Sequence, residues 1–209
     1  MTRSKDDLIR LLRRCGYPEN VVQAFSRVPR DLFVPQSHRH MAYADTALPT
    51  KNGQTISQPT VIAEMLALAG LSPGTKVLEI GTGSGYTAAL TYEVTRSPLV
   101  TVEYDPELCV ESRERLRSLG YHEIQVVCGD GGFGYSPSAP YDCIIVHAAV
   151  PEPPPPLIRQ LRPYGVFVAP VGSLTSQLLS RFVKHGNGLV LERRGSPVVF
   201  VPLRGRYGF

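Results

Sequence analysis

Cysteine is scarce, and none of the four residues (Cys15, Cys109, Cys128, Cys143) is spaced to form a CxxC pair. So scattered a set argues weakly for either a metal site or a disulfide framework, and free buried thiols in a reducing compartment are the better expectation. His38 and His40 make an HxH pair without a third ligand nearby, so no metal is expected. No apolar run approaches the roughly 18 residues that a bilayer span needs. The charged start, with Lys5, Asp6 and Asp7, lacks the continuous apolar stretch of a secretion signal. Charge of one sign is also in short supply. A net charge of +4 without a basic stripe does not favour nucleic acid as a partner, and Arg13-Arg14 and Arg193-Arg194 read as solvated faces. Internal repeats and a linker that would split the chain are both absent. These absences leave a cytoplasmic protein of 209 residues in a single domain, long enough to bury a core.

The chain falls into two textures. Over residues 1–70, Leu8, Leu11, Leu12 and Cys15 recur at helical spacing before Gly16 and Pro18 stop the pattern. A second short helix is expected from about Asn20 to Arg27. The stretch from Val28 to Pro59, with prolines at 29, 35, 49 and 59, is irregular, and loops of that length inside a compact domain usually serve function. Pro59 suits the first turn of a helix whose buried face is Val61, Ile62, Met65, Leu66 and Ala69. Over residues 71–209, short apolar runs alternate with helical ones. Strands are expected at Lys76–Ile80, Leu99–Glu103, Ile124–Cys128, Asp142–His147 and Val166–Pro170. Helices are expected to about Val94, over Pro106–Leu119 and near Pro156–Leu161. Antiparallel additions follow at Leu178–Val183, Leu189–Glu192 and Val198–Val201. This alternation predicts an α/β fold with a doubly wound, mostly parallel sheet. The five prolines of Pro151–Pro156 follow a strand end directly and read as a stiff loop at the rim of a site.

The chemistry concentrates in Val77-Leu78-Glu79-Ile80-Gly81-Thr82-Gly83-Ser84-Gly85-Tyr86, between a strand and a helix. Glycines let the backbone approach a ligand with no Cβ in the way, and the helix start offers unpaired N–H groups to an anion. Glu103 ends the next strand, where an acid can accept both hydroxyls of a ribose. Gly129-Asp130-Gly131 closes the third strand as a polar turn where an adenine amino group could be held, though Asp130 also suits a plain turn or helix cap. Together these point to a ligand containing adenosine. The turn is spaced GxGxG rather than GxGxxG, which separates it from the dinucleotide binders.

The sequence resembles the protein-L-isoaspartate O-methyltransferase family from about Val28 to Leu203. The resemblance is carried by Val28-Pro29-Arg30-Asp31-Leu32-Phe33-Val34-Pro35, Ala42-Tyr43-Ala44-Asp45 and, above all, Gly53-Gln54-Thr55-Ile56-Ser57-Gln58-Pro59. After the glycine turn it continues through Gly129-Asp130-Gly131, Ala139-Pro140-Tyr141-Asp142, Gln160-Leu161, Pro170-Val171-Gly172 and Phe200-Val201-Pro202-Leu203. The resemblance implies a seven-stranded Rossmann-like fold with an N-terminal helical and loop extension, and S-adenosylmethionine as cofactor. It also implies methyl transfer to the α-carboxylate of isoaspartyl residues in proteins and peptides, by a monomer. By the same resemblance Ser57 matches the active-site serine, and Gln54, Thr55 and Ile56 match the loop that closes over cofactor and substrate. Glu79, Gly81, Thr82, Gly83 and Ser84 match the turn around the methionine portion, Glu103 the ribose acid, and Gly129, Asp130 and Gly131 the adenine side.

Two places depart from the family pattern. His147 ends the fourth strand where a small or hydroxyl residue is usual. It either contacts the acceptor carboxylate or serves as a structural histidine. Val150 and the prolines after it are also atypical. Alternative functions are esterification of one dedicated peptide partner, an adaptor that keeps the pocket without turnover, and a dinucleotide-dependent oxidoreductase. An RNA methyltransferase would need an aromatic and basic platform for bases, and none is visible.

Overall fold

The computed structural model describes residues 4–209, so residues 1–3 of the N-terminal stretch lie outside it. Helix α1 (Lys5–Arg14) starts at Ser4, whose hydroxyl accepts from Asp7 N at 3.2 Å while Ser4 N donates back to the Asp7 carboxylate. Its apolar stripe packs with α2 (Glu19–Arg27) into the same core as the sheet. Three 3-10 turns and a two-stranded ladder, β1 (Leu48–Pro49) with β2 (Thr55–Ile56), occupy the stretch expected to be irregular. Helix α3 (Pro59–Ala69) has Pro59 in its first turn and ends at Gly70 in the left-handed region. That is the place where glycine stops a helix most cheaply.

The remaining elements are β3 (Val77–Ile80), α4 (Tyr86–Thr95), β4 (Leu99–Glu103), α5 (Pro106–Ser118), β5 (Ile124–Cys128), β6 (Tyr141–Val146), α6 (Pro155–Gln160), β7 (Leu161–Gly172), β8 (Gln177–His185) and β9 (Gly188–Val198). They build one seven-stranded sheet in the order β5-β4-β3-β6-β7-β8-β9, parallel from β5 to β7 and antiparallel over the last two strands. Strand alternation sends Val77, Cys143 and Ile145 to the core with α1–α4, and Leu78, Ile80, Ile144 and Val146 to the core with α6. Both faces are covered, which is why the central strands are apolar at nearly every position. The doubly wound reading holds. The chain leaves β3 toward β4 on one side and returns to β6 on the other, so the crevice at the carboxyl ends of β3 and β6 is a topological switch point.

Three expectations are corrected. Cys109 of α5 and Cys128 at the end of β5 are joined in a disulfide. Cys15 is exposed, and only Cys143 is a free buried thiol. Helix-on-strand packing brings that pair together with Cα atoms 5.6 Å apart, a juxtaposition that spacing along the chain does not announce. Residues 198–201 do not form a further strand. β9 ends at Val198, and Phe200 N donates to the Gln177 side chain at 2.8 Å instead of to a ladder. The Pro151–Pro156 segment is loop only as far as Pro154, which caps α6; Pro155 and Pro156 fill the first turn of that helix, and no residue of the segment lines either cavity described below.

Candidate active site

The glycine turn after β3 stands on three left-handed residues, Gly81 (φ +92°), Gly83 (φ +53°) and Gly85 (φ +86°). At Gly83 the space beside Cα is open, so it is the backbone conformation that calls for glycine. At Gly131 the reason is the reverse, since a Cβ there would come within 2.4 Å of Ile80 Cγ2. Arg115 of α5 clamps the turn by donating to Ser84 O at 2.8 Å. The Glu103 carboxylate accepts from Gly83 N at 2.8 Å and from Asp105 N at 3.0 Å, which ties the end of β4 to the turn. Each oxygen keeps a lone pair for a ligand hydroxyl.

Behind the turn lies a buried polar chain. Thr101 donates to Glu79 Oε1 at 2.8 Å, so its single proton is committed, and Thr82 must donate to Thr101 across their 2.7 Å contact. Glu79 Oε2 then faces His147 Nε2 at 3.3 Å. Period-2 alternation puts Glu79, Thr101, Glu103 and His147 on the same side of the sheet. Glu79 is fully buried and lies outside the cavity lining. His147 belongs to the lining, but both ring nitrogens are covered and neither makes a hydrogen bond.

A cavity with about 90 Å³ of water-accessible space opens at this switch point. Of the residues singled out in the sequence, Gln54, Thr55, Ile56, Ser57, Gly81, Thr82, Gly83, Ser84, Glu103, Gly131 and His147 line it, whereas Glu79, Gly129 and Asp130 do not. Gly129 N donates to Glu103 O at 2.8 Å. Asp130 caps the short turn that follows, accepting from Gly132 N at 2.8 Å and from Arg206 N of the C-terminal tail at 3.0 Å.

The lining also includes residues to which the sequence reading gave no site role: Tyr86, Thr87, Tyr104, Ala148 and Val201–Arg204. Tyr104 had a signal, an aromatic directly after the strand-end acid. The tail had none. It reaches the site because Ala149 N donates to Val201 O and Leu203 N donates to Ala149 O, extending β6 by a parallel bridge. Burial pushes the Tyr86 hydroxyl above its ordinary range.

A second cavity of about 380 Å³ adjoins the first. Its walls are Ala47, Gln58, Val61, Ser176 and the segment Pro197–Phe200, and it shares Thr55 and Ser57 with its neighbour. Asp45 holds this corner, accepting from Thr60 N at 2.9 Å and Gln58 Nε2 at 3.0 Å, so the shared loop runs into α3 at a fixed angle.

A left-handed glycine cradle, a nearly buried acid at the next strand end and a close-approach glycine in the turn after the third parallel strand meet at the switch point. Fold and site together define a Rossmann-like S-adenosylmethionine-dependent methyltransferase. Residues 3–208 match the family model described as protein-L-isoaspartate(D-aspartate) O-methyltransferase. The protein-L-isoaspartate O-methyltransferase of Ignicoccus hospitalis is 47% identical over 208 residues, covering 97% of this chain and 98% of the relative. A solved protein-L-isoaspartate O-methyltransferase superposes with a TM-score of 0.89 at 30% identity, over 98% of this chain and 67% of the other. A protein of that description from Plasmodium falciparum, solved with S-adenosyl-L-homocysteine, shares the fold with a TM-score of 0.81 at 23% identity, over 98% and 99% of the two chains. The chain belongs to the protein-L-isoaspartate(D-aspartate) O-methyltransferase family.

Proposed function

We propose that the chain transfers a methyl group from S-adenosylmethionine to the free α-carboxylate of L-isoaspartyl residues in damaged proteins and peptides, which starts their repair through a succinimide. The observation that carries this reading is the pair of adjoining cavities. One is a cofactor cradle and the other a groove open to a peptide, and Thr55 and Ser57 stand in both.

When bound, S-adenosylmethionine supplies a methyl group made electrophilic by its sulfonium. Gly81, Thr82, Gly83 and Ser84 take the methionine portion, Glu103 the ribose hydroxyls, and Gly131 with Tyr104 the adenine side. The acceptor needs no general base, because carboxylates titrate near pH 4 and are already ionised at neutral pH. What remains is to orient it and exclude water, and well-placed reactants can gain about 7 kcal/mol or more this way. Ser57 donates one hydrogen bond to the acceptor carboxylate without adding charge, while Gln54, Thr55 and Ile56 cover the reacting groups. Val198–Phe200 and Val61 give the groove an apolar wall for side chains flanking the isoaspartyl residue.

Both cavities are built by one chain, so a monomer suffices for this reaction. A cytoplasmic setting belongs to the same proposal.

The test is transfer of labelled methyl groups to several unrelated isoaspartyl peptides and their aspartyl twins, with Ser57→Ala alongside. Base-labile esters on the isoaspartyl set alone, lost in the variant, are the expected result. Transfer to only one peptide sequence would replace repair with a dedicated partner, and cofactor binding without any transfer would leave an adaptor.

A further inference from the structure

The loop that carries Gln54–Ser57 is tied down at a point remote from the reacting groups. Lys51 Nζ lies 3.4 Å from Glu107 Oε1 and pairs with Glu111, both on α5. Asn52 Nδ2 donates to Asp105 Oδ2 at 3.1 Å and to Glu107 Oε2 at 3.2 Å. Asn52 reaches them because it adopts the left-handed region (φ +56°), which asparagine tolerates better than other side chains, and Gly53 (φ +69°) continues the bend. The anchor is itself well founded. Asp105 caps α5 through Oδ1, accepting from Glu107 N and Leu108 N, and its own N–H holds the Glu103 carboxylate. Asn52, Asp105 and Glu103 therefore form a continuous polar path from the loop to the ribose acid.

The cavity behind the loop has about 90 Å³ of water-accessible space, whereas sites for small organic ligands measure roughly 300–1,000 Å³. A ligand of that size needs the walls to part, and the walls not built on the sheet or its helices are the Gln54–Ser57 loop and the Val201–Arg204 tail. We propose that Lys51 and Asn52 are positioning residues that form an electrostatic latch: they hold this loop over the cavity by gripping the Asp105, Glu107 and Glu111 carboxylates, and they set the rate at which the demethylated cofactor leaves. This rests on the reading of the cavity as the S-adenosylmethionine site. Every group in the latch is at the surface. Each exposed pair shifts an equilibrium by only about 1.4- to 5-fold, so the latch opens often and salt loosens it.

The experiment follows release of S-adenosylhomocysteine from the full chain by stopped flow, after equilibrium binding by calorimetry, from about 0.01 M to 1 M salt, where the screening length falls from roughly 30 Å to 3 Å. Release from the unaltered chain is expected to quicken about three- to tenfold across that range. In Lys51→Glu and Asn52→Asp, which place like charge against α5, release at low salt is expected to be about tenfold faster, and salt is expected to slow it or leave it unchanged. Lys51→Glu combined with Glu111→Lys is expected to restore much of the slow, salt-sensitive release, which a merely structural role for Lys51 would not do. Binding with release rates unmoved by salt and by these variants overturns the latch alone. No binding of S-adenosylhomocysteine at all overturns the latch together with the reading of the cavity beneath it.

Discussion

Glu103→Gln separates holding the glycine turn from holding the ligand. In the free protein the nearly buried carboxylate accepts two backbone N–H groups, from Gly83 and Asp105. A glutamine keeps one oxygen and turns an NH₂ group on the other donor, so one charge-assisted hydrogen bond is lost, at about 1.5–3 kcal/mol. For a domain near this size each kcal/mol moves Tm by about 2–4 °C, which predicts a fall of roughly 3–12 °C. Binding should suffer separately, because the amide can accept only one of two ribose hydroxyls. A second loss of about 1.5–3 kcal/mol is about 10- to 150-fold in affinity. Scanning calorimetry of the free variant reads the first effect. Titration with S-adenosylhomocysteine at 25 °C, where the variant is still folded, reads the second. A lowered Tm with affinity within about threefold of the unaltered chain would refute the ribose role and leave Glu103 as a brace for the turn.

Three further outcomes are expected. The Cys109–Cys128 bond closes a loop of sequence separation 19. Its removal by Cys109→Ser with Cys128→Ser should cost about 3 kcal/mol, or roughly 6–12 °C in Tm; a shift under about 2 °C would show that it contributes little. Burial pushes the Cys143 thiol up to about 12 from near 9, and pushes Tyr17, Tyr121 and Tyr141 up to about 12 from near 10. Since these groups hold their protons more tightly in the fold, their contribution is intact below about pH 9 and is lost as pH rises toward 12. Urea melts should show that decline, less steeply in Cys143→Val, and a flat profile would contradict it. Finally, His147→Thr leaves the Glu79 carboxylate without its neighbouring ring. Loss of this buried packing should lower stability by about 1–3 kcal/mol, and the double variant with Glu79→Gln reads how far the two side chains are coupled. An altered KM for isoaspartyl peptide at unchanged stability would instead place His147 on the acceptor.

The parts of this fold that can be read from the sequence are those whose signal is local. Leu99–Glu103 and Ile124–Cys128 are apolar runs bounded by turn formers, and the structure places strands on those same residues. Strands β8 and β9 form one edge of the sheet and carry charged and exposed residues such as Glu192, Arg193 and Arg194, so their apolar segments mark only part of their length. Strand β7 extends to Leu161 because Tyr141 pairs there ahead of a register shift, a feature of the partner strand rather than of its own sequence.

The candidate site divides in the same way. The glycine turn and Glu103 are legible because backbone conformation and strand-end position are written within a few residues of each. What surrounds them is decided by contacts across the chain. Asp130 meets Arg206 at a separation of 76 residues, and Asn52 meets Asp105 at 53. For Asp130 the consequence is chemical. One oxygen is engaged by its own turn and the other by the tail, so its carboxylate is held in place from both sides before any ligand arrives. A ligand amino group there must use the remaining lone pairs or displace the Arg206 N–H. The Gly131 end of the cavity is therefore shaped by the tail as much as by the Gly129-Asp130-Gly131 turn. The contact calls for Gly205, at φ +105°, because its Cα lies against the Asp130 carboxylate, where a Cβ would sit 2.3 Å from Oδ2.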